Sequence, residues 1–323
     1  MKDKLIVYIS SRNNYEMLVG EVLKNNNFKD IRLINIDDNS SDQQKKIGRD
    51  ICRERNITFI ENNGRGLFCA ARTAIEYVSQ EHPECKFVYW TSHDCFPITE
   101  NMFLRLEGII ESGQLDSFGC VGFNTIWKKF MMDISEFKSQ NLEGRYCGAL
   151  GRACLTPVPG VGWYRPGDFD MTWDMWGKSV AVESVVDMNF MINVSLFIDK
   201  IDADSSYHHF CWGDDMCLQF LKSGIYNITL ANLYVYHDQD IKKGYGIPVS
   251  SYRAAKRGDT YHFCEPDSHF DVWQKKWGFH REWQKNPGHI ENNIKEQYNK
   301  TLIGDFMNHD YSKGPLKCFP ISI

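Results

Sequence analysis

The first 120 residues alternate between two hydrophobic periods, and this alternation restricts the possible folds more than any other feature of the sequence. Four short, continuous apolar runs, rich in Ile, Val and Tyr, occupy positions 5–9, 31–36, 57–60 and 87–90. Runs of this kind are typical of strands covered on both faces. Between them, apolar residues recur at helical spacing, as at Leu67, Ala71 and Val78. Strands that alternate with helices predict an α/β fold with a mainly parallel central sheet flanked by helices.

Residues that follow these runs are the first candidates for a functional site, because a parallel sheet binds ligands at the carboxyl ends of its strands. The second run ends in a turn that reads Asp37-Asp38-Asn39-Ser40-Ser41-Asp42. An ionised carboxylate only accepts hydrogen bonds, so an Asp here suits the N3–H of uracil. The same residue types also form turns and cap helices. Taken alone, the turn supports a nucleotide contact and a structural role equally.

The fourth run is followed by a polar segment, Ser92-His93-Asp94, which a Pro closes at position 97. Charge directly after a buried strand is costly unless a cation neutralises it. Oxygen ligands bind Mg²⁺ or Mn²⁺, and these ions neutralise the diphosphate of a nucleotide. We therefore expect a metal contact at Asp94, with capping of a helix that begins near Thr99 as the structural alternative.

Two further groups of polar residues follow later in the chain. Asp214 and Asp215 come directly after Gly213, at the start of a predicted helix over 214–223, where the helix dipole favours carboxylates. A carboxylate there suits removal of a proton from a sugar hydroxyl, and the glycine lets a substrate approach. His237 follows a predicted strand over 228–236. A lone His in such a place is more typical of a surface residue than of a metal ligand.

The segment 124–183 lacks this periodicity and is rich in Gly and Pro, with four Trp. A long insertion of this composition is usually functional or mobile. We expect it to shape an acceptor site with Trp163 and Trp173 as stacking platforms, and burial of these two Trp in the core is an equally open alternative. The final residues, 239–323, carry balanced charges and place Trp273 and Trp277 at helical spacing. We interpret them as a packed C-terminal extension.

Charge and cysteine content limit the class of protein. The formal net charge of −5 argues against a nucleic-acid binder, whose affinity comes from neutralised phosphates. No stretch approaches the roughly 18 apolar residues of a spanning helix, and the N-terminal apolar run is too short for a signal peptide. The eleven cysteines include no CxxC pair. These features predict a cytoplasmic protein with reduced thiols, with peripheral association at the inner face of the membrane left open.

The order of these motifs, over about 5–238, resembles the family 2-like glycosyltransferases of the GT-A fold. The segments that carry the resemblance are Ser10-Ser11-Arg12-Asn13, the Asp-rich turn at 37–42, Asn62-Asn63-Gly64-Arg65-Gly66, Ser92-His93-Asp94, Trp212-Gly213-Asp214-Asp215 and His237. No single segment is specific, but together they follow the family's order and spacing.

The resemblance implies roles for the matched residues. Ser10 and Asp38 would contact the base of the nucleotide, and Arg65 would lie near it. Ser92 and His93 belong to the segment that corresponds to the family's Asp-x-Asp motif. Asp94 would hold Mn²⁺ or Mg²⁺ on the diphosphate, and His237 would complete that site. Asp214 would deprotonate the acceptor hydroxyl in a direct inverting displacement, with Asp215 as the competing base.

One residue departs from the family pattern. Ser92 stands where the first Asp of the Asp-x-Asp motif is usual. This change removes the usual ribose contact and leaves the metal with fewer carboxylates. Either His93 or His237 compensates for the loss, or metal binding is weak.

The sequence thus predicts a metal-dependent glycosyltransferase domain over 1–238, with a nucleotide-binding half at 1–123, an acceptor half at 124–238 and the extension at 239–323. The expected donor is a nucleotide sugar, with UDP favoured, and the expected acceptor is a glycan or lipid-linked glycan. By analogy, the pathway would be bacterial surface polysaccharide or glycoconjugate synthesis.

Two alternatives stay open. A sugar-phosphate nucleotidyltransferase shares a Rossmann-like nucleotide half, but its Gly-rich loop is missing after the first strand, where this chain has Ser10-Ser11-Arg12-Asn13. A catalytically inactive, glycan-binding relative of the glycosyltransferases is supported by Ser92 and opposed by Asp94 and Asp214. A dehydrogenase is disfavoured, since no GxGxxG motif follows a strand.

Overall fold

The structure is a computed structural model that describes residues 4–127, 148–149, 179–182, 184–185, 189–209, 211–238, 241–245 and 266–278. The strands are β1 (Leu5–Ser11), β2 (Leu33–Asp37), β3 (Thr58–Glu61), β4 (Phe87–Thr91), β5 (Cys95–Pro97), β6 (Phe118–Trp127), β7 (Gly148–Ala149), β8 (Val180–Val182), β9 (Asn189–Asn193) and β10 (Tyr226–His237). The helices are α1 (Tyr15–Gly20), α2 (Asp42–Glu54), α3 (Leu67–Glu81), α4 (Met102–Glu111), α5 (Val194–Lys200), α6 (Trp212–Lys222), α7 (Ile241–Gly244) and α8 (Pro266–Trp277). Two 3₁₀ turns, Val22–Lys24 and Asn26–Phe28, lie between α1 and β2.

The strands form one mixed sheet in the order β3-β2-β1-β4-β9-β6-β10-β5, with β7 paired to β6 and β8 to β10. β1 is parallel to β2 and β4, β2 to β3, and β6 to β10. β9 is antiparallel to both of its neighbours, so β4 and β6 run in the same direction. The longer strands other than β9 are therefore parallel. Helices connect them, as parallel strands require. The structure confirms the predicted α/β fold with a mainly parallel central sheet flanked by helices.

The sheet separates two hydrophobic cores, because successive side chains of a strand point to opposite faces. From β1, Ile6 and Tyr8 enter one core, and Leu5, Val7 and Ile9 enter the other. The first core also contains buried residues of α3, α5, α6 and α8, and the second contains residues of α1, α2 and α4. Both faces of the sheet are covered, which explains why its strands lack polar alternation.

The C-terminal helix α8 belongs to the first core. Trp273 is fully buried there and Trp277 is 6% exposed, with their ring centroids 5.9 Å apart. The predicted helical spacing of these two residues is therefore confirmed. Within the extension, α8 packs against the same core as α3 and α6, whereas Ile241 of α7 packs against the second core. The division of the chain at 238 stays a prediction about its organisation.

The predicted elements differ from the structure mainly at their ends. The four expected N-terminal strands are present, and the helix expected at 214–223 begins two residues earlier, at Trp212. The apolar segment 190–198 divides into β9 and α5, because the side chain of Asn193 accepts a hydrogen bond from Leu196 N at 3.2 Å and caps the helix. Most of the insertion 124–183, including Trp163 and Trp173, lies outside the described residues.

Two further sequence expectations concern thiols and membrane spans. The cysteines that the structure describes are free and buried, as expected for reduced thiols; they are Cys52, Cys69, Cys85, Cys95, Cys120, Cys211 and Cys217. Among the described helices, none has the length and apolarity required to cross a bilayer.

Candidate functional site

The parallel strands end at one edge of the sheet, and most of the predicted site residues lie along that edge. β1 and β2 are paired in register so that Ser11 lies opposite Asp37, the last residue of each strand. β4 ends one residue before Ser92, and β10 ends at His237. The sheet therefore brings the Asp-rich turn, the Ser92-His93-Asp94 segment and His237 to a common edge.

His93 is a buried hydrogen-bonding centre at this edge. Its Nδ1 lies 2.8 Å from Nδ2 of Asn14, and its Nε2 lies 3.2 Å from Oγ of Ser11. Since an amide nitrogen only donates, Nδ1 accepts and Nε2 carries the proton that it donates to Ser11. Ser11 Oγ then donates to Oδ1 of Asn35 at 2.5 Å. Burial lowers the pKa of His93 to about 4, so the ring is neutral at pH 7.

These contacts bear on the expected roles of His93 and Ser10. Both ring nitrogens of His93 are engaged within the protein, so the geometry favours a structural role over a nucleotide contact or a metal ligand. Ser10 faces the other side of the sheet. Its Oγ is buried and has no hydrogen-bond partner among the described residues.

In the Asp-rich turn at 37–42, some residues have the structural role that the sequence left open beside a nucleotide contact. Asp37 accepts hydrogen bonds from the hydroxyl of Tyr15 at 2.6 Å and from the backbone N–H of Ser40 at 3.1 Å. Ser41 Oγ accepts from the N–H of Gln44 at 3.4 Å and caps α2. The structural interpretation of the turn therefore applies to Asp37 and Ser41.

Asp38 connects the turn to the segment before α3. Its Oδ1 accepts hydrogen bonds from the N–H of Gly66 and from Nδ2 of Asn62, each at 2.8 Å. Gly66 has a left-handed φ of +85°, and a Cβ there would collide with the backbone of His208. Only glycine fits this close approach between two segments.

His208 adds a residue to this cluster that the sequence did not reveal. Its carbonyl accepts a hydrogen bond from the N–H of Leu67 at 2.7 Å, at the start of α3. Burial, and then the positive charge of Arg65, lower the pKa of His208, while Asp38 opposes them. These charges therefore lie close enough to affect one another. The predicted base contacts Asp38 and Arg65 form one cluster with the imidazole of His208.

Asp94 is a buried carboxylate that is bonded to two basic side chains. Its Oδ2 lies 3.2 Å from Nε2 of His237 and 2.7 Å from Nζ of Lys242. Burial alone would raise the pKa of Asp94, but Lys242 and His237 outweigh burial and hold that pKa well below its usual range. Asp94 does not cap α4, which begins at Met102 after Asn101. Asp94 is thus ionised and in contact with a cation.

The donor set at Asp94 fits a divalent cation under one condition. A carboxylate oxygen and an imidazole nitrogen converge there, and Nδ1 of His237 is buried with no partner among the described residues. Within the described ranges, no group of three or more His, Cys, Asp or Glu side chains converges. Mg²⁺ is often bound through one or two carboxylates, with phosphates and waters as the other ligands. A cation of this kind fits if Lys242 moves away from the shared oxygen.

Asp214 lies in the first turn of α6, at the same edge of the sheet. Trp212 at the start of this helix packs against Trp90 near the end of β4, with ring centroids 4.9 Å apart. Asp214 is fully buried, and its Oδ1 accepts a hydrogen bond from Oγ of Ser184 at 2.6 Å. A hydroxyl at this distance from a carboxylate oxygen has the geometry that a general base requires of its proton donor.

Asp215, the neighbouring candidate, is fully occupied by protein donors. Its Oδ1 accepts from the indole N–H of Trp277 at 2.7 Å. Its Oδ2 accepts from Nε2 of Gln219 at 2.6 Å and from Nζ of Lys276 at 2.8 Å. Burial raises the pKa of Asp215, and Lys276 opposes that increase. Both oxygens of Asp215 are therefore bonded to protein donors.

Sequence reasoning missed several residues of the site because each acts through a partner that is distant in the chain. Lys242 lies five residues after His237, so its position in the sequence could have indicated a cation near the predicted metal site. No local pattern distinguishes the others from ordinary surface or core residues. The missed residues are Asn14, Ser184, His208, Lys242, Lys276 and Trp277.

Comparison with known proteins gives similarity in structure alone. No protein-family model matches the chain, and no curated protein matches it in sequence. GalNAc-T7, solved with UDP, GalNAc and Mn²⁺, is 13% identical over 73% of this chain and 43% of its own, with a TM-score of 0.49. S. aureus TarS is 12% identical over 94% of this chain and 48% of its own, with a TM-score of 0.45. The structure of TarS 1–349 is also 12% identical, over 94% of this chain and 80% of its own, with a TM-score of 0.43. These neighbours are glycosyltransferases of the GT-A type, and the chain spans less than half of the first two.

Proposed function

We propose that the chain is a glycosyltransferase that moves a sugar from a nucleotide-sugar donor, with UDP as the favoured nucleotide, to a hydroxyl of a glycan acceptor. The observation that carries the proposal is a pair of buried carboxylates at the carboxyl edge of a parallel sheet. Asp94 is neutralised by basic groups, as a diphosphate site requires, and Asp214 already accepts a hydrogen bond from a hydroxyl. Charge neutralisation and a base are the two functions that this transfer needs.

The nucleotide would bind beside Asp38 and Arg65. Oδ1 of Asp38 accepts hydrogen bonds from a backbone and an amide donor, which orient its carboxylate. This carboxylate would accept a hydrogen bond from an N–H of the base. The unpartnered Oγ of Ser10 would supply a further polar contact. The neutral imidazole of His208 lies near both charged residues and offers an aromatic face to a base or ribose.

The diphosphate would bind near Asp94 and His237. A divalent cation, Mn²⁺ or Mg²⁺, would be held by these two side chains and would neutralise charge on the leaving diphosphate. Ser92 lies two residues before Asp94 and offers a hydroxyl where a carboxylate is usual, so the protein contributes one negative charge to this site instead of two. We therefore expect weaker metal binding than an Asp-x-Asp site would give.

The chemistry proposed for Asp214 is general-base catalysis of an inverting displacement. As the acceptor oxygen forms its bond to the anomeric carbon, its proton passes to the carboxylate of Asp214. The bond from that carbon to the phosphate oxygen breaks at the same time, and the nucleoside diphosphate leaves with the electron pair. Such proton transfer typically contributes a factor of about 10² to 10⁴ in rate. Ser184, bonded to the same carboxylate, would fix its orientation.

The setting of the reaction is a hypothesis from the sequence and from the family resemblance. We propose a role in bacterial surface polysaccharide or glycoconjugate synthesis in the cytoplasm, with a glycan or lipid-linked glycan as acceptor. The acceptor half would include the insertion 124–183, most of which lies outside the described residues.

The proposal can be tested by hydrolysis of a panel of nucleotide sugars, since a glycosyltransferase slowly transfers its donor to water. We expect release of UDP from at least one of UDP-glucose, UDP-galactose, UDP-N-acetylglucosamine and UDP-N-acetylgalactosamine in the presence of Mn²⁺. The Asp214→Asn variant is the matched negative control. No release from any UDP-, GDP- or CDP-sugar by the wild type would overturn the proposal.

The two alternatives predict different products in the same experiment. A nucleotidyltransferase would release pyrophosphate from UTP and a sugar 1-phosphate, which a glycosyltransferase does not do. An inactive binding protein would be stabilised by UDP in a thermal-shift assay but would release no UDP from any sugar nucleotide.

A further inference from the structure

We propose that the C-terminal helix α8 positions the catalytic helix: Lys276 and Trp277 hold Asp215 and thereby fix the first turn of α6, where Asp214 lies. This inference rests on the proposed function for the assignment of Asp214 as the base. The side chains of Lys276 and Trp277 both donate hydrogen bonds to Asp215. They act through Asp215 and are positioning residues.

Asp215 is held by side-chain donors from two helices. Of three side-chain donors, only Gln219 belongs to α6, and Lys276 and Trp277 both belong to α8. The carboxylate is fully buried, and Trp277 is 6% exposed. An ionised carboxylate at such a depth is stable only while its partners stay in place. The two helices are therefore joined at this residue.

The N-cap residue of α6 provides no side-chain cap. Its N-cap residue is Cys211, which has a left-handed φ of 65° and makes no side-chain capping hydrogen bond. The N–H of Asp215 donates to the carbonyl of Cys211 at 2.8 Å, so Asp215 lies in the first hydrogen-bonded turn. An uncapped first turn opens readily. Donors from α8 that hold Asp215 oppose this opening in the turn that carries Asp214.

Helix α8 also contacts His208, beside the proposed nucleotide site. The ring of His269 packs against His208 with centroids 5.8 Å apart, and the carbonyl of His208 accepts from the N–H of Leu67 at the start of α3. His269 and Lys276 lie two turns apart on α8, a span of about 10 Å at the usual helical rise. Helix α8 therefore contacts both His208, in the cluster with Asp38 and Arg65, and α6, which carries Asp214.

The position of α8 does not itself depend on these polar contacts. Phe270 and Trp273 are buried in the core that α8 shares with α3 and α6. Replacing Lys276 or the indole nitrogen of Trp277 removes a donor to Asp215 and leaves this apolar anchoring in place. Such variants are expected to stay folded, so their effect on the first turn of α6 can be measured.

The test uses the full chain with four substitutions. Lys276→Met and Trp277→Phe each remove one donor to Asp215. Lys276→Arg restores a charged donor, and Lys275→Met changes the exposed neighbour on the same helix as the matched control. The first measurement is amide hydrogen exchange of the segment 211–216, followed by mass spectrometry. The second is kcat and KM for hydrolysis of the UDP-sugar that the wild type cleaves fastest.

We expect exchange at 211–216 to become about tenfold faster in the Met and Phe variants, since a charge-assisted hydrogen bond of this kind accounts for a factor of about ten or more. We expect kcat to fall by about tenfold to a hundredfold, with KM within about twofold of the wild type, because the base is displaced and the donor site is not. Lys276→Arg should restore most of the slow exchange at 211–216 and most of kcat. Lys275→Met should match the wild type.

The two measurements separate the possible failures. Unchanged exchange at 211–216 in both Lys276→Met and Trp277→Phe would show that α8 does not hold the turn, and the inference would be wrong. Faster exchange with normal kcat would also overturn it, because the anchored turn would then have no catalytic role. If the wild type hydrolyses no nucleotide sugar, the proposed function fails, and the exchange measurement still decides whether α8 holds α6.

Discussion

The ammonium of Lys242 lies 2.7 Å from Oδ2 of Asp94, the same oxygen that His237 approaches to 3.2 Å. A divalent cation bound to this oxygen would carry two charges to the place where Lys242 now contributes one. Two cations cannot both bond to a single carboxylate oxygen at short range without strong repulsion. Lys242 therefore competes with any metal for Asp94 while it also keeps this buried carboxylate ionised.

Replacing Lys242 should accordingly strengthen metal binding. We expect Lys242→Met to lower the Mn²⁺ concentration that half-maximally stabilises the protein in the presence of UDP by about tenfold, the factor that corresponds to a charge-assisted hydrogen bond of about 1.5 kcal/mol. Thermal-shift titration with Mn²⁺ measures this quantity. Lys86→Met is the control, since Lys86 forms an ion pair with Asp116 at the same 2.7 Å distance on the surface.

A weaker response to Mn²⁺ in Lys242→Met would contradict the competition. It would instead assign Lys242 to the diphosphate itself, as a cation that the donor needs alongside or in place of the metal.

Removing the charge of Asp94 should abolish the metal contribution to donor binding. We expect UDP to bind Asp94→Asn with the same affinity in Mn²⁺ as in EDTA, because the only carboxylate of the described metal contact is gone. Isothermal titration of UDP under the two conditions measures the difference. Asp116→Asn, on the surface, should keep the wild-type response. If Asp94→Asn also keeps it, the metal contact lies elsewhere.

The buried imidazole of His93 should make folding stability depend on pH. Burial lowers its pKa to about 4 in the folded protein, against 6.5 for an ordinary His. Between these two values the unfolded chain binds the additional proton, so stability rises with pH and is lost as the pH falls from about 6.5 to 4. The full effect is on the order of 3 kcal/mol.

Urea unfolding at pH 7 and at pH 4.5 would measure this effect. We expect His93→Gln to be less stable at pH 7, since it loses ring contacts to Ser11 and Asn14, but to show a smaller difference between the two pH values. The remaining difference includes His269, whose pKa burial also lowers to about 4. An identical pH dependence in wild type and His93→Gln would show that the ring is protonated in the folded state.

The fold was predictable because its signal is local and repeated. Each N-terminal strand is a short apolar run, and the pairing of Ser11 with Asp37 follows once the strands are parallel. The edge at which polar residues collect follows from the same topology. Helix ends were less accurate, since the helix expected at 214–223 begins two residues earlier, at Trp212. At Asn193 a single capping side chain separates a strand from a helix.

From the sequence, a candidate site residue could be identified only by its own position relative to a predicted strand or helix. The sequence indicated Asp94 and Asp214 as candidates because they follow a strand or begin a helix. Their partners Lys242 and Ser184 were not predicted, because they reach the two carboxylates from distant parts of the chain through contacts that only the folded structure creates. The same holds for Trp277, which is a partner of Asp215. For the same reason, sequence alone left Asp214 and Asp215 as competing bases, although their surroundings differ completely.

Asp215→Asn should therefore act mainly on stability. The amide presents an N–H₂ group to donors that need an acceptor, and it leaves the ammonium of Lys276 without its anion. We expect a loss of about 3 kcal/mol in the free energy of unfolding, the usual cost of breaking a buried charge pair from one side. Urea unfolding measures this loss. Asp215→Asn with wild-type stability would mean that the carboxylate is already protonated in the folded protein.

Asp214→Asn should act mainly on catalysis. The acceptor hydroxyl has a pKa far above 7, so a base must take its proton as the bond to the anomeric carbon forms. Asn nearly preserves the shape of Asp214 and can still accept the hydrogen bond from Ser184 through its carbonyl oxygen. The side chain loses its basicity, however. We expect kcat to fall by at least about a hundredfold, or about 3 kcal/mol, with the affinity for UDP almost unchanged.

Ser184→Ala is the matched variant for this experiment, because it keeps the carboxylate of Asp214 and removes only the hydroxyl bonded to it. We expect a smaller loss in kcat, of about tenfold or less, since the base is present but less firmly oriented. Steady-state kinetics with the preferred UDP-sugar compares the two variants directly. If Ser184→Ala is as inactive as Asp214→Asn, the hydroxyl itself takes part in proton transfer. If Asp214→Asn keeps near-normal kcat while Asp215→Asn is folded and inactive, then Asp215 is the base, and the positioning role proposed for α8 is wrong with it.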